Sequence, residues 1–283
     1  IRNDAGKSTP SPYLDLLENP NKPADLRVTS DNGKLTITDD KGNDLVNPQD
    51  YKQSGTGPVL RALESIARYR MVLDLSNKQP SELTGKFILR LRRCINEDKG
   101  FAAKVEDIRS DPDEILTLKY LSKERLRNLY VQEITNNSTH DVYAHLFILN
   151  PDFSIIRLYP AFGQNELLKA GAKVQSGMKG SGGKLLEIYL PGDNPGEDHW
   201  DLSSERLKLI VTISSGNLEV LEQDPLDVPA MKSVTTRSSD ASPLENLIDA
   251  VTSGTATRGR SYTPQSVEDW TTAELPYQVL RIS

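Results

Sequence analysis

Val142-Tyr-Ala-His-Leu-Phe-Ile-Leu149 and Phe153-Ser-Ile-Ile-Arg-Leu-Tyr159, joined by Asn150-Pro-Asp152, decide the fold. Both runs are of strand length and aliphatic. Asn, Pro and Asp are the residues that turns require, so the stretch predicts a hairpin. The same reading extends outward. Leu26 to Ser30 and Lys34 to Thr38 flank Asp31-Asn32-Gly33, and an Asn-Gly pair supplies the positive φ angles of a tight two-strand turn.

Between these hairpins the period of the apolar residues changes. Val59, Leu63, Ile66, Tyr69 or Arg70, and Leu73 recur at helical spacing behind Pro58, which suits a first helical turn. The spacing predicts a long helix over about 58–75, ending near Ser76-Asn77, with one face buried against a sheet. From there the period is two. Phe87, Leu89 and Leu91 alternate with Ile88, Arg90 and Arg92. Leu116, Leu118 and Tyr120 form a second such run, and Tyr130, Gln132 and Ile134 a third. Lys184 to Leu190, Leu207 to Ile213 and Tyr277 to Ile282 are further strand-length runs. A parallel sheet needs a crossover helix between successive strands, and none is legible from 86 to 213. The predicted class is mainly β: an antiparallel β-sandwich with one long packing helix. Ser242-Pro243 predicts a short C-terminal helix over about 243–252. Residues 1–25, with Pro10, Pro12, Pro20 and Pro23, read as a linker, and 26–283 as the sandwich domain.

Composition limits the function. The chain has 283 residues, 34 Lys+Arg against 40 Asp+Glu and a net charge of -6. The acidic balance argues against general nucleic-acid binding, and no apolar stretch has the length of a membrane-spanning helix. One cysteine, Cys94, excludes an internal disulfide and a thiolate zinc site. It fits a reducing compartment, so a cytoplasmic location is the expectation. The chain begins at Ile1 without an initiator Met and reads as a fragment.

Several motifs touch known chemistry and depart from it. Ala5-Gly-Lys-Ser-Thr9 ends like a phosphate-binding loop, but Ile1 stands where the pattern needs Gly. Gly177 to Lys184 (GMKGSGGK) also lacks the required Gly, since Met178 occupies that position, and reads as a flexible loop between strands. His140, His145 and His199 lack metal-ligand spacing. Cys94 reads as a structural thiol. The acidic clusters Asp111 to Glu114 and Asp193 to Asp198 do not match calcium-loop spacing. Asn136-Asn-Ser-Thr139 holds two overlapping glycosylation sequons. No cofactor or metal is called for by these motifs.

Arg61-Ala-Leu-Glu-Ser-Ile-Ala-Arg-Tyr-Arg70, with Leu73 to Asn77, resembles a helix that follows the catalytic domain in caspase-type (metacaspase-like) peptidases of bacteria and fungi. Asn136 to Pro160, Leu207 to Thr212 and Asp269 to Tyr277 resemble strands of the same C-terminal accessory region, so the resemblance covers roughly 26–283. It implies a non-catalytic accessory domain that recognises a partner or substrate, or regulates the peptidase domain. The family cuts with a His-Gly and Asp-x-Cys dyad. Here Asp, Leu and Trp follow the three histidines, and Cys94 stands in Arg-Arg-Cys-Ile, so no catalytic residue carries over. The expected partners are a caspase-type peptidase domain, on the same or a cleaved polypeptide, or a protein substrate, or both. An independent sandwich module for carbohydrate, lipid or calcium is the alternative. The candidate interaction loops are the glycine loop (Gly177, Lys179, Gly180, Gly182), the acidic loop (Asp193, Glu197, Asp198) and the basic loop (Arg258, Arg260).

Overall fold

The computed structural model describes residues 11–15, 17, 22–50, 52, 55–108, 115–161, 166–192, 199–229 and 269–282. Three strands come first: β1 (Leu26–Asp31), β2 (Lys34–Asp39) and β3 (Gln49–Asp50). Helix α1 (Gly57–Asp74) follows, then β4 (Phe87–Asp98), β5 (Phe101–Asp107), β6 (Leu116–Tyr120), β7 (Leu129–Asn136), β8 (Val142–Leu149) and β9 (Ile155–Tyr159). The chain continues with β10 (Leu167–Leu168), β11 (Lys173–Ser176), β12 (Leu186–Glu187), β13 (Leu202–Thr212) and β14 (Trp270–Arg281). One sheet runs β10-β8-β13-β14-β6 with β9 also on β8. A second runs β11-β7-β4-β5 with β12 also on β7, and β1-β2-β3 form a third.

The two larger sheets pack face to face. Val142, Ala144, Leu146 and Ile148 of β8 and Leu207, Leu209 and Val211 of β13 meet Leu89 and Leu91 of β4 and Tyr130 and Ile134 of β7 in one apolar core. The opposite face of the β8–β13 sheet is also covered. Phe147, Leu149, Ile210 and Trp270 pack against Val59, Leu63, Ile66 and Leu73 of α1 and Ile37 of β2. The order is therefore sheet, sheet, then helix and hairpin. It explains two sequence patterns. The β8 run is apolar at nearly every position because both of its faces are buried. The β4 run alternates because its outer face meets solvent and neighbouring charges: Arg92 pairs with Asp107 and Glu133, and Arg93 with Glu106.

Helix α1 starts with Pro in its first turn and buries Val59, Ala62, Leu63, Ile66, Tyr69, Val72 and Leu73. Each large apolar side chain so buried contributes about 1.5–3 kcal/mol before the cost of ordering it. At the helix end, the buried Lys208 Nζ donates to the Leu73 carbonyl at 3.0 Å, which satisfies one of the orphaned terminal acceptors. Tyr13 and Leu14, from the segment read as a linker, pack against this layer.

Several expectations are refined. β14 pairs with β6 in parallel, so the sandwich is not antiparallel throughout. These strands lie at distant points of the chain, with β7 to β13 between them. The strand expected over Lys184 to Leu190 narrows to β12, and the last strand begins at Trp270. β5 was not foreseen. It follows a turn with positive φ at both Lys99 and Gly100, the same backbone as Asn32-Gly33. The helix expected over 243–252 lies outside the described residues. Among the described residues, no helix is long and apolar enough to cross a membrane.

Candidate functional site

The site begins in the phase of β13. Leu207, Leu209 and Val211 point into the sandwich core. Two residues per repeat put Ser203 and Glu205 on the same face, nearer one end. The core-facing row thus turns polar where the sandwich ends. A cavity of about 730 Å³ opens there.

Four segments build its walls. Ile148, Ile156 and Leu158 come from the β8–β9 hairpin, and Asn150, Pro151 and Asp152 from its turn. Lys184 to Glu187, Tyr189 and Pro191 form a second wall, and Trp200 lies beside Ser203 and Glu205. Leu226, Asp227 and Val228 close the rim together with Asn47. The walls are tied down. Arg281 donates through Nη2 to the Leu190 and Pro191 carbonyls (3.0 and 2.7 Å) and through Nε to that of Trp200 at 3.0 Å. Leu226 N donates to the Asp152 carbonyl at 2.8 Å, and Asn47 Nδ2 donates to Asp227 Oδ1 at 2.7 Å. The lining is amphipathic. Ile156 and Tyr189 stay 41% and 46% exposed.

Glu205 is the most perturbed of the lining groups. Burial pushes its carboxyl up to about 6. Hydrogen bonds from Tyr277 Oη (2.5 Å) and Ser203 Oγ (3.0 Å) favour the charged form and limit that rise, and the Asp152 charge adds to it. The Tyr277 phenol is itself held well above its usual range by burial and by the Glu205 charge. Asp152 accepts from Ser154 N at 2.9 Å. Asp152, Glu205 and Asp227 therefore line one cavity and accept hydrogen bonds from neutral donors. Elsewhere Glu97, Glu106, Glu133, Glu219, Glu222 and Glu274 each meet an Arg or Lys.

The residues singled out in the sequence lie apart from this cavity or beyond the described residues. The glycine loop is packed, not free. Ala102 N donates to the Gly177 carbonyl, Met178 N to that of Gln175, and Ser181 N to that of Met178. A Cβ on Gly182 would run into the Glu166 carboxylate, and one on Gly183 into Ser176. Only the Lys179-Gly180 tip is exposed, and the loop reaches the cavity through Lys184 alone. Asp193, Glu197, Asp198, Arg258 and Arg260 lie outside the described residues, as do Asp111 to Glu114 and Ala5 to Thr9.

Cys94 is buried in a small cluster with Ala102, Leu129 and Val131, and its thiol donates to the Asn96 carbonyl. His145 is buried on the helix-facing side of β8 with neither ring nitrogen partnered. Burial and the nearby Arg157 lower its pKa to about 4. His140 contacts Glu82, and His199 contacts Asp201. Among the described residues no group of three or more metal-type side chains is assembled. Asn136 of the first sequon is buried, and its amide donates to the carbonyls of His140, Leu168 and Lys169.

Comparison with known proteins returns no match: no family model fits the chain, and neither the curated proteins nor the solved structures yield a relative.

Proposed function

We propose that this chain is a non-catalytic recognition module, the accessory part of a caspase-type cysteine peptidase, and that it takes a segment of a partner or substrate into the cavity at the end of the sandwich. One observation carries the reading. Tethered segments hold open a cavity with exposed Ile156 and Tyr189 on its walls and a polar row at its floor. A stiff amphipathic cavity suits an incoming peptide segment, because little ordering remains to be done on binding. The peptidase context comes from the resemblance of Arg61 to Arg70 and Asn136 to Pro160. The native polypeptide tests it. A longer chain with a His-Gly and Asp-x-Cys catalytic domain upstream of Ile1 supports the context, and a native chain that starts within a few residues of Ile1 overturns it.

A free-standing sandwich module is the second reading. Among its possible ligands carbohydrate is favoured by the exposed Tyr189 ring.

A further inference from the structure

We infer that the cavity accepts the side chain of a lysine or arginine from a partner polypeptide, its aliphatic stem along Ile156 and its charged head among Asp152, Glu205 and Asp227. The inference rests on the reading of this cavity as the recognition site and adds the chemistry of its occupant.

Charge and shape point the same way. The lining carries four carboxylates, Asp152, Glu187, Glu205 and Asp227, and a single cation, Lys184. Glu187 is neutralised by Arg125. The other three accept from Ser154 N, Tyr277, Ser203 and Asn47, none of which is charged. Among the described residues none of these three has an Arg or Lys ion-pair partner, and carboxylates gathered in a concave site in this way favour a cationic occupant. A sugar would leave that charge uncompensated, and an acidic segment would be repelled. The apolar part of the lining sets a second condition. Ile148, Ile156 and Leu158 offer a surface for methylenes, and Lys and Arg join such a stem to a charged head. Tyr189 adds an exposed aromatic ring at the rim, a favourable neighbour for a cation.

The test uses the full chain and four capped pentapeptides, Ala-Ala-X-Ala-Ala, with X as Lys, Arg, Gln or Glu, titrated by calorimetry at neutral pH. The Lys and Arg peptides are expected to bind and the Glu peptide not to. Asp152→Asn and Asp227→Asn, both on loops, are each expected to weaken the Lys peptide by about tenfold, the equivalent of one lost charge-assisted hydrogen bond. Glu205→Gln is expected to do the same, with a thermal melt to establish that it folds. Ile156→Trp, which fills the cavity, is expected to abolish binding. Equal binding of the Lys and Gln peptides, lost in Ile156→Trp, overturns the cationic occupant and leaves the recognition site standing. No binding by any peptide, or binding indifferent to Ile156→Trp, overturns both.

Discussion

Glu205 and Tyr277 sit directly opposite each other in the β13–β14 ladder, and the Tyr277 hydroxyl donates to Glu205 Oε2 at 2.5 Å. Cross-strand neighbours meet on one face of the sheet, and this face is the interior of the sandwich. The pair marks the boundary between an apolar core, at Leu207 and beyond, and a polar cavity floor. Tyr277→Phe removes the donor but keeps the ring. It is expected to cost about 1 kcal/mol in urea unfolding at neutral pH. It is also expected to raise the Glu205 pKa further, because the lost bond favoured the carboxylate. An unchanged pKa, read by carboxyl NMR, would show that the contact does not hold in solution.

Two groups act oppositely on stability between about pH 6.5 and 4.5. His145 has a folded pKa of about 4, below its ordinary 6.5, so the unfolded chain takes up the proton first and the fold loses stability as pH falls. Glu205 has a folded pKa of about 6, above its ordinary 4.5, so the folded chain takes up the proton first and the fold gains stability as pH falls. Each effect is on the order of 1–3 kcal/mol, and the wild type shows their partial cancellation. Glu205→Gln is expected to steepen the acid loss. His145→Leu is expected to remove it and to stabilise the protein, since neither ring nitrogen has a partner to lose. Denaturation midpoints at half-unit pH intervals measure both, and parallel profiles for all three proteins contradict the account.

Lys208 is fully buried and joins three elements: its own strand β13, Glu274 on β14 and the Leu73 carbonyl at the end of α1. Glu274 also holds Arg206. Neutralising the carboxylate leaves a buried ammonium without its counter-charge, whereas removing the amine leaves a carboxylate that still has Arg206. Glu274→Gln is therefore expected to destabilise by about 2 kcal/mol or more, and Lys208→Met by less. The reverse order in thermal melts would contradict this assignment.

The glycine loop is expected to be sensitive by position, not by composition. A Cβ on Gly183 meets Ser176, whereas one on Gly180 meets open space. Gly180 has a positive φ, so Gly180→Ala carries only backbone strain of about 1 kcal/mol. Gly183→Ala is expected to cost at least twice as much. Equal losses would mean that the loop is as free as its composition suggests.

The sequence was most legible where burial imposes a period. The two-faced burial of β8 wrote a continuous apolar run, the one-faced burial of β4 an alternating one, and the α1 stripe a helical one. Asn32-Gly33 and Asn150 to Asp152 announced their turns by residue type. The short strands β10 and β11 were not legible, because their pairing partners, β8 and β7, define them more than their own composition does. The cavity escaped notice for a related reason. Leu202-Ser-Ser-Glu-Arg206 looks like a polar lead-in to the apolar run at Leu207, yet it is strand, and Ser203 and Glu205 stand in phase with the core. A polar extension in phase with an apolar row was the available signal. The glycine, acidic and basic loops drew attention by composition, and the described part of the first is a packed turn with Lys184 at the cavity edge.

The measurement that bears most directly on the central claim is methyl and indole NMR of the full chain during titration with the Lys pentapeptide. The account predicts shifts that cluster at Ile148, Ile156, Leu158 and the Trp200 indole and that disappear in Ile156→Trp. Shifts centred instead on the glycine-loop residues Met178 and Lys179, or a spectrum that the peptide leaves unchanged, would contradict the assignment of this cavity as the recognition site.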